Sequence, residues 1–146
     1  PLWSRGLGDV YKRQLSFTAT GCIVVTEGGP HTTPNHSPTI NWADAGCFWD
    51  SYYYEDIWYF DADVSDFDGL YDVVSVYADV YDMSNGRWIE TFELDPTNDP
   101  SFWSSTWFAD TTYVSCYYGG YEVDITAYDT FNDYDVITIK PNTFSY

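Results

Sequence analysis

The chain has 146 residues, of which 45% are hydrophobic, and a formal net charge of −18 at pH 7. That length fits one domain with a single core. Such an acidic surface repels phosphate backbones and anionic lipid headgroups, which argues against nucleic-acid binding. Aromatic residues make up 21% of the chain, including 15 tyrosines, and this enrichment favours sheet over helix.

The first fourteen residues, PLWSRGLGDVYKRQ, differ from the rest in charge and pattern. They hold Arg5, Lys12 and Arg13, which are three of the five basic residues in the chain. The string GDVYKRQ resembles the translated adapter sequence found at the ends of metagenomic gene models. Residues 1–14 are therefore expected to be non-native and play no part in the fold prediction.

The next segment, LSFTATGCIVV, ends a run of small residues at Gly21 and Cys22. It resembles the end of a bacterial lipoprotein signal peptide, although Ala19 stands where leucine is usual. The resemblance implies that residues 15–22 are the truncated end of a signal and that Cys22 carries a lipid. The alternative is a short buried strand with a free thiol.

Residues 23–37 are expected to be a flexible tether, because TEGGPHTTPNHSP, residues 26–38, is a Gly, Pro, Thr and His tract without periodicity. His31 and His36, the only histidines, lie in it. A Ser-His-Asp or Cys-His arrangement would thus have no base inside the fold, and we expect no enzyme. No apolar run is long enough for a membrane helix, so membrane contact is expected only through the lipid anchor.

Two of the three cysteines remain if Cys22 is lipidated. Cys47 and Cys116 are then expected to form a disulfide, because disulfides persist in exported proteins. The alternative is two unpaired buried cysteines. A zinc site is not expected from two cysteines without a neighbouring ligand histidine.

Residues 38–146 form the predicted domain, in which short runs of alternating side chains are separated by turns. The Asn85-Gly86 pair predicts a hairpin. About seven strands at this spacing predict an all-β, antiparallel β-sandwich. The runs begin at SPTINWAD and continue as 57–64, 72–82, 87–94, 101–108 (a strand or a short helical turn), YEVDITAYD and 134–140. The side chains predicted to point inward are Trp58, Phe60, Ala62, Val64, Val74, Val76, Ala78, Val80, Tyr121, Val123, Ile125 and Ala127.

Two stretches carry a family resemblance. GGYEVDITAYDTFNDYDVITI resembles the last two strands of bacterial immunoglobulin-like and cadherin-like modules, and ADVSDFDGLYDVVSV resembles their second and third strands. The resemblance implies an immunoglobulin-like sandwich in an envelope lipoprotein. It also shows a departure, because Cys47 lies ahead of strand IWYFDADV and Cys116 lies ahead of YEVDITAYD, unlike the central bridge of antibody domains.

The stretch YFDADVSDFDG places four aspartates in eight positions but does not match an EF-hand loop. In a sandwich, the turn between the second and third strands and the last turn lie at the same end. Asp66 and Asp68 would then approach Asp129 and Asp133, a set of oxygen ligands that suits calcium. Asp72 and Asp135 are possible additional donors. The alternative is that these aspartates only cap turns.

DAGCFWDSYYYEDIWYF holds eight aromatic residues in seventeen positions. Tyr52, Tyr53 and Tyr54 cannot all point inward in a strand, so we expect an exposed aromatic strip there. Rings beside aspartates suit carbohydrate binding, while a protein contact or a structural use of the same rings is the alternative.

The sequence thus predicts a non-catalytic module of the bacterial cell envelope, either lipid-anchored or secreted. Its expected role is adhesion, recognition or structural support, with a surface protein or a glycan as its partner. A calcium-assisted carbohydrate-binding module is the first alternative. An accessory domain of a larger secreted enzyme is the second.

Overall fold

The computed structural model describes residues 34–144. The predictions for residues 1–33, including lipidation of Cys22, lie outside this range. The described part contains seven β-strands and two three-residue 3-10 turns, Leu70–Asp72 and Ala109–Thr111. The strands are β1 (Thr39–Asp50), β2 (Glu55–Ser65), β3 (Val73–Asp82), β4 (Arg87–Pro96), β5 (Phe102–Phe108), β6 (Tyr121–Asp129) and β7 (Tyr134–Ile139).

The strands pair in the order β1-β2-β5-β4-β3-β6-β7, and every pairing between named strands is antiparallel. β4 pairs with β3 along most of its length and with β5 only at Asp95 and Pro96. The sheet therefore bends at the end of β4 into two layers, β1-β2-β5 and β4-β3-β6-β7. Aromatic rings of β2 contact rings of the second layer; the ring centroids of Phe60 and Phe92 lie 4.6 Å apart. The predicted all-β antiparallel fold is confirmed.

The core follows from side-chain alternation in β2 and β6. The four residues predicted to point inward in each of these strands are buried. Trp58 is completely enclosed, and its Nε1 donates a hydrogen bond to the Val114 carbonyl at 2.9 Å. The indole thereby fixes the segment before β6, which has no strand of its own, against the core.

One inward prediction in β3 is wrong. Val74 is 52% exposed, whereas Val73 is buried. The pairing of β3 with β6 shifts register between Val73 and Ser75, so an extra residue at this bulge reverses the alternation. From Val76 onward the predicted pattern holds, with Val76, Ala78 and Val80 all buried.

Residues 101–108 were expected to form a strand or a short helical turn, and the structure has a strand there, Phe102–Phe108. Two boundaries differ from expectation. β1, whose start was expected at SPTINWAD, extends to Asp50, so Cys47 lies inside a strand and not only in a segment ahead of β2. The compact unit begins at Asn35, within the segment expected to be tether.

The sulfur atoms of Cys47 and Cys116 lie 2.10 Å apart, at bonding distance, in the pairing expected from the sequence. The bond joins β1 to the loop before β6. Beside it, the chain after β7 runs parallel to β1, where the backbone N–H of Cys47 donates to the Asn142 carbonyl at 2.8 Å. Bond and bridge together hold the edge of the first layer to the edge of the second.

None of the helical segments in residues 34–144 is long and apolar enough to cross a membrane.

Candidate functional site

Chemically distinctive side chains collect at the two ends of β2. The turn before β2, residues 51–54, holds three tyrosines, which we call the tyrosine turn (Tyr52, Tyr53 and Tyr54). The segment after β2 holds Asp66, Asp68 and Asp72, which we call the aspartate cluster. Because β2 runs for eleven residues between them, they occupy opposite ends of the sandwich.

All three side chains of the tyrosine turn are exposed, by 81%, 56% and 76% in chain order. The expected exposure is present, but in a turn and not along a strand. Asp50 shapes this turn, because its Oδ1 accepts the backbone N–H groups of Tyr52 at 2.8 Å and Tyr53 at 3.2 Å. Tyr54 adopts a φ of 55°, the left-handed region that side chains rarely occupy.

The rings of the tyrosine turn are held edge to face. The Tyr52 and Tyr53 centroids lie 4.9 Å apart, and Tyr53 packs edge-on against Phe108 of β5 at 5.3 Å. Phe108 is itself 40% exposed. Such edge-to-face contacts position the rings while leaving flat surface open to a ligand.

The outer face of β1-β2-β5 continues the aromatic surface. Trp42 and Phe102 pair from either side with Asp63, and their rings lie 6.4 Å apart at an interplanar angle of 20°. In the middle of the face, the Tyr59 hydroxyl donates to Asp44 Oδ2 at 3.1 Å. Burial raises the pKa of Tyr59 most, and the nearby Asp44 carboxylate adds to the rise, although a hydrogen bond with Asn142 opposes it.

The aspartate cluster forms where β2 turns into β3. One oxygen from each of its three carboxylates lies within 4.8 Å of the others. Asp66 Oδ1 accepts the backbone N–H of Asp68 at 2.8 Å, which closes the local turn. Asp72 is bound to the last turn, since its carbonyl accepts the Thr130 N–H at 3.0 Å and its carboxylate accepts the Thr130 hydroxyl.

Asn35 joins Asp129 and Asp133, the other two predicted metal ligands. Its Nδ2 donates to Asp129 Oδ2 at 2.7 Å and to Asp133 Oδ2 at 2.8 Å. Burial raises the pKa of Asp129, but hydrogen bonds from Asn35 and from three backbone N–H groups of its own turn outweigh it and leave the pKa below its ordinary value. In the structure these two carboxylates are engaged by protein donors.

The next residue, His36, connects the same segment to the aspartate cluster. Its backbone N–H donates to Asp68 Oδ2 at 2.7 Å, and its Nδ1 lies 3.3 Å from Asp68 Oδ1. Asp135, named as an additional donor, instead accepts the Ile40 N–H at 2.9 Å and so fixes the start of β1. The two acidic turns thus lie at one end, bridged by residues that the sequence pattern assigned to a tether.

Sequence reasoning missed Asn35 as a partner of the acidic turns. The only signal was its position between Pro34 and Pro38, which hold a short segment extended just ahead of β1. A flexible linker has the same composition, so the pattern alone does not separate the two.

A third surface lies on the outside of the second layer. It is an open cleft of about 530 Å³ lined by polar groups and by Tyr77 and Tyr128, whose rings lie 6.2 Å apart. Asp79 faces the same cleft and accepts a hydrogen bond from the Thr91 hydroxyl. Tyrosine rings and carboxylates therefore recur on both outer faces.

Comparisons with known proteins leave the family open. No protein-family model, no curated protein and no solved structure matches this chain. Function must therefore be argued from the geometry of these surfaces.

Proposed function

We propose that the chain is a non-catalytic recognition module of a bacterial envelope protein that binds a surface protein or glycan through the tyrosine turn. The observation that carries this proposal is the tyrosine turn itself: three exposed rings, held by Asp50 and by Phe108 at one end of a disulfide-bonded sandwich. Large aromatic residues that are exposed and yet fixed in position are the residues most often responsible for binding energy at interfaces.

The arrangement of charged groups supports binding over catalysis. Within residues 34–144, His36 is the single histidine, and its ring faces Asp68. General base catalysis by histidine needs a nucleophile within hydrogen-bond reach. His36 is instead used at the aspartate end, where its neighbours are carboxylates.

The proposal includes an immunoglobulin-like or cadherin-like identity for the sandwich. Two features support it: seven antiparallel strands in two layers, and a β1 edge that meets the chain after β7 in a parallel bridge. The proposal also includes export and lipid attachment at Cys22, supported by the paired Cys47 and Cys116.

Binding is tested with the purified protein on glycan arrays and on intact bacterial cells. Tyr53→Ala is expected to weaken binding about tenfold or more, because Tyr53 contacts both Tyr52 and Phe108. Tyr113→Ala is the matched control, since Tyr113 is also exposed but lies in the loop after β5. Equal binding by both variants would refute the assignment of the tyrosine turn as the binding surface.

A carbohydrate ligand is the second candidate, and one observation favours it. Trp42 and Phe102 flank Asp63 on the outer face of the first layer, so flat rings stand beside a carboxylate that accepts hydroxyl hydrogens. Binding to defined glycans that Trp42→Ala removes would support this candidate. Binding to cells but to no glycan would favour a protein partner.

Lipid attachment is tested on the protein expressed from its intact gene in a bacterial host. Cys22→Ser is expected to move the protein from the membrane fraction to the soluble fraction and to abolish labelling with a fatty-acid analogue. A variant that stays in the membrane fraction would remove the anchor from the proposal.

A further inference from the structure

We propose that Asp66, Asp68 and Asp72, together with the side-chain oxygen of Asn35, bind a calcium ion at the aspartate end of the sandwich. The ion fixes residues 35 and 36 to the segment between β2 and β3. This site is separate from the recognition function proposed above, because the tyrosine turn lies at the other end of β2.

The first observation is the spacing of the carboxylates. Their oxygen atoms lie within 4.8 Å of one another, a distance at which like charges repel strongly unless a cation screens them. In residues 34–144, the one ion pair that involves the cluster joins His36 and Asp68, and the His36 side chain is 47% exposed. A cation bound between the three carboxylates attracts each of them and so offsets the repulsion among them.

The second observation is independent of charge. Asp66 Oδ2 and Asn35 Oδ1 are buried and have no hydrogen-bond partner among residues 34–144. Asp66 is the least exposed member of the cluster, and its other oxygen is already used by the Asp68 N–H. Burying a carboxylate oxygen without a partner is costly, so such an atom calls for a ligand.

The orientation of Asn35 agrees with a role as ligand. Its Nδ2 donates to Asp129 and Asp133, so that side of the amide faces the last turn. The adjoining residue, His36, donates its backbone N–H to Asp68. Residues 35 and 36 together therefore join the last turn to the aspartate cluster, and the buried Oδ1 of Asn35 lies in this junction.

The donor chemistry selects the ion. Three carboxylates and one amide oxygen are hard ligands, and calcium accepts six to eight oxygens in flexible geometry, with water filling the remaining positions. Zinc and copper sites use cysteine or histidine, and within the described range 34–144 the only such side chain beside the cluster, His36, already contacts a carboxylate. Magnesium demands a stricter octahedron, so we expect calcium to bind more tightly.

Calorimetric titration of calcium into the EDTA-treated 146-residue protein tests the site. We expect saturable binding of one ion and a melting temperature that rises with calcium concentration, because the ion binds the folded state. Asp66→Asn and Asp72→Asn are each expected to weaken binding at least tenfold. Asp110→Asn removes the same charge from an exposed position after β5 and is expected to bind as the unmutated protein does.

The role of Asn35 has its own readout. Calcium is expected to slow hydrogen exchange at the His36 backbone N–H, which bonds to Asp68. Asn35→Ala is expected to weaken calcium binding and to remove most of that protection. Unchanged affinity in Asn35→Ala would overturn its assignment as a ligand.

A second measurement uses the unmutated protein, in case a substitution prevents folding. Tyr71 is adjacent to Asp72 and exposed, so it can sensitise luminescence from terbium bound in place of calcium. We expect this luminescence to appear with terbium and to fall as calcium is added. No binding heat and an unchanged melting temperature at millimolar calcium, or full affinity in Asp66→Asn, would overturn the site.

Discussion

Gly46 lies where β1 meets the chain after β7, and its missing side chain leaves room for Asn142. A Cβ atom at this position would lie 2.6 Å from the Asn142 carbonyl oxygen. That oxygen accepts the Cys47 N–H, and the Asn142 N–H donates to the Ala45 carbonyl. A side chain at residue 46 would therefore force apart the edge that joins the two layers.

Gly46→Ala is expected to lower the free energy of unfolding by about 1–3 kcal/mol, the usual cost of overpacking. Chemical denaturation measures the change. Gly119→Ala is the control, because a Cβ there would meet only the Thr143 hydroxyl at an ordinary 3.6 Å. Equal stabilities for the two variants would contradict the proposed close approach.

The ionisation of Tyr59 predicts how the stability of the fold changes at alkaline pH. Its folded-state pKa lies above the ordinary value of about 10, mainly because of burial, with the Asp44 carboxylate adding to the rise. A raised pKa means that the folded state holds the proton more tightly than the unfolded state. The contribution of Tyr59 to the free energy of unfolding is fully present below about pH 10 and is lost as the pH rises through the folded-state pKa.

Phenolate absorbance and denaturation as a function of pH measure this effect together. We expect a tyrosine component that ionises late, along with a fall in stability above about pH 10. Tyr59→Phe is expected to reduce both. A titration curve that Tyr59→Phe leaves unchanged, apart from the loss of one ordinary phenol, would contradict the assignment.

At the scale of elements, the tyrosine turn depends on Asp50. The carboxylate accepts the N–H groups of Tyr52 and Tyr53 and so holds the two strands of the hairpin at a fixed turn. Such side-chain to backbone bonds are the usual function of aspartate at a turn. The backbone of the tyrosine turn therefore depends on the Asp50 carboxylate.

Asp50→Ala is expected to speed hydrogen exchange at the Tyr52 and Tyr53 amides about fivefold, equivalent to the loss of about 1 kcal/mol of local hydrogen bonding. Amide exchange at Trp58 in the core of β2 should stay unchanged. Exchange that accelerates throughout β2 would show that Asp50 stabilises the whole strand and not the turn alone.

Alternation in the sequence predicted β2 and β6 because each has one face in the core and one outside. The same rule failed at Val74, where a bulge against β6 changed the register. A bulge depends on how two strands pair, so it cannot be predicted from the sequence of either strand alone. For the same reason the sequence pattern predicted the start of β1 but not its end, since its second half is recognised only by its pairing with β2.

The candidate sites were also only partly predictable from the sequence. The convergence of two acidic turns followed from sandwich topology and from the Asp spacing in the sequence. The contacts of Asn35 could not be predicted in this way. They join Asn35 to Asp129 and Asp133, which lie more than ninety positions away in the chain. Long-range side-chain contacts of this kind have no local pattern.

At the scale of the whole molecule, the bond between Cys47 and Cys116 closes a long loop, since the residues are 69 positions apart. A closed loop of that length lowers the entropy of the unfolded chain, which corresponds to roughly 4 kcal/mol of stability. The bond also lies beside the bridge between Gly46 and Asn142, so the two contacts support the same edge.

Replacing both Cys47 and Cys116 with alanine is expected to lower the free energy of unfolding by roughly 4 kcal/mol. Denaturation in the absence of reductant measures the loss. Adding reductant should destabilise the unmutated protein but not the variant. Equal stability of the two proteins without reductant would contradict the loop-closure account.

The central claim is that the exposed rings of the tyrosine turn are the surface that the module uses for binding. Hydroxyl-radical footprinting of the protein, free and bound to bacterial envelope material, tests this most directly. We expect Tyr52, Tyr53 and Tyr54 to lose reactivity on binding while the exposed Tyr113 keeps its own. Protection confined to the cleft at Tyr77 and Tyr128, with the tyrosine turn as reactive as in the free protein, would contradict the claim.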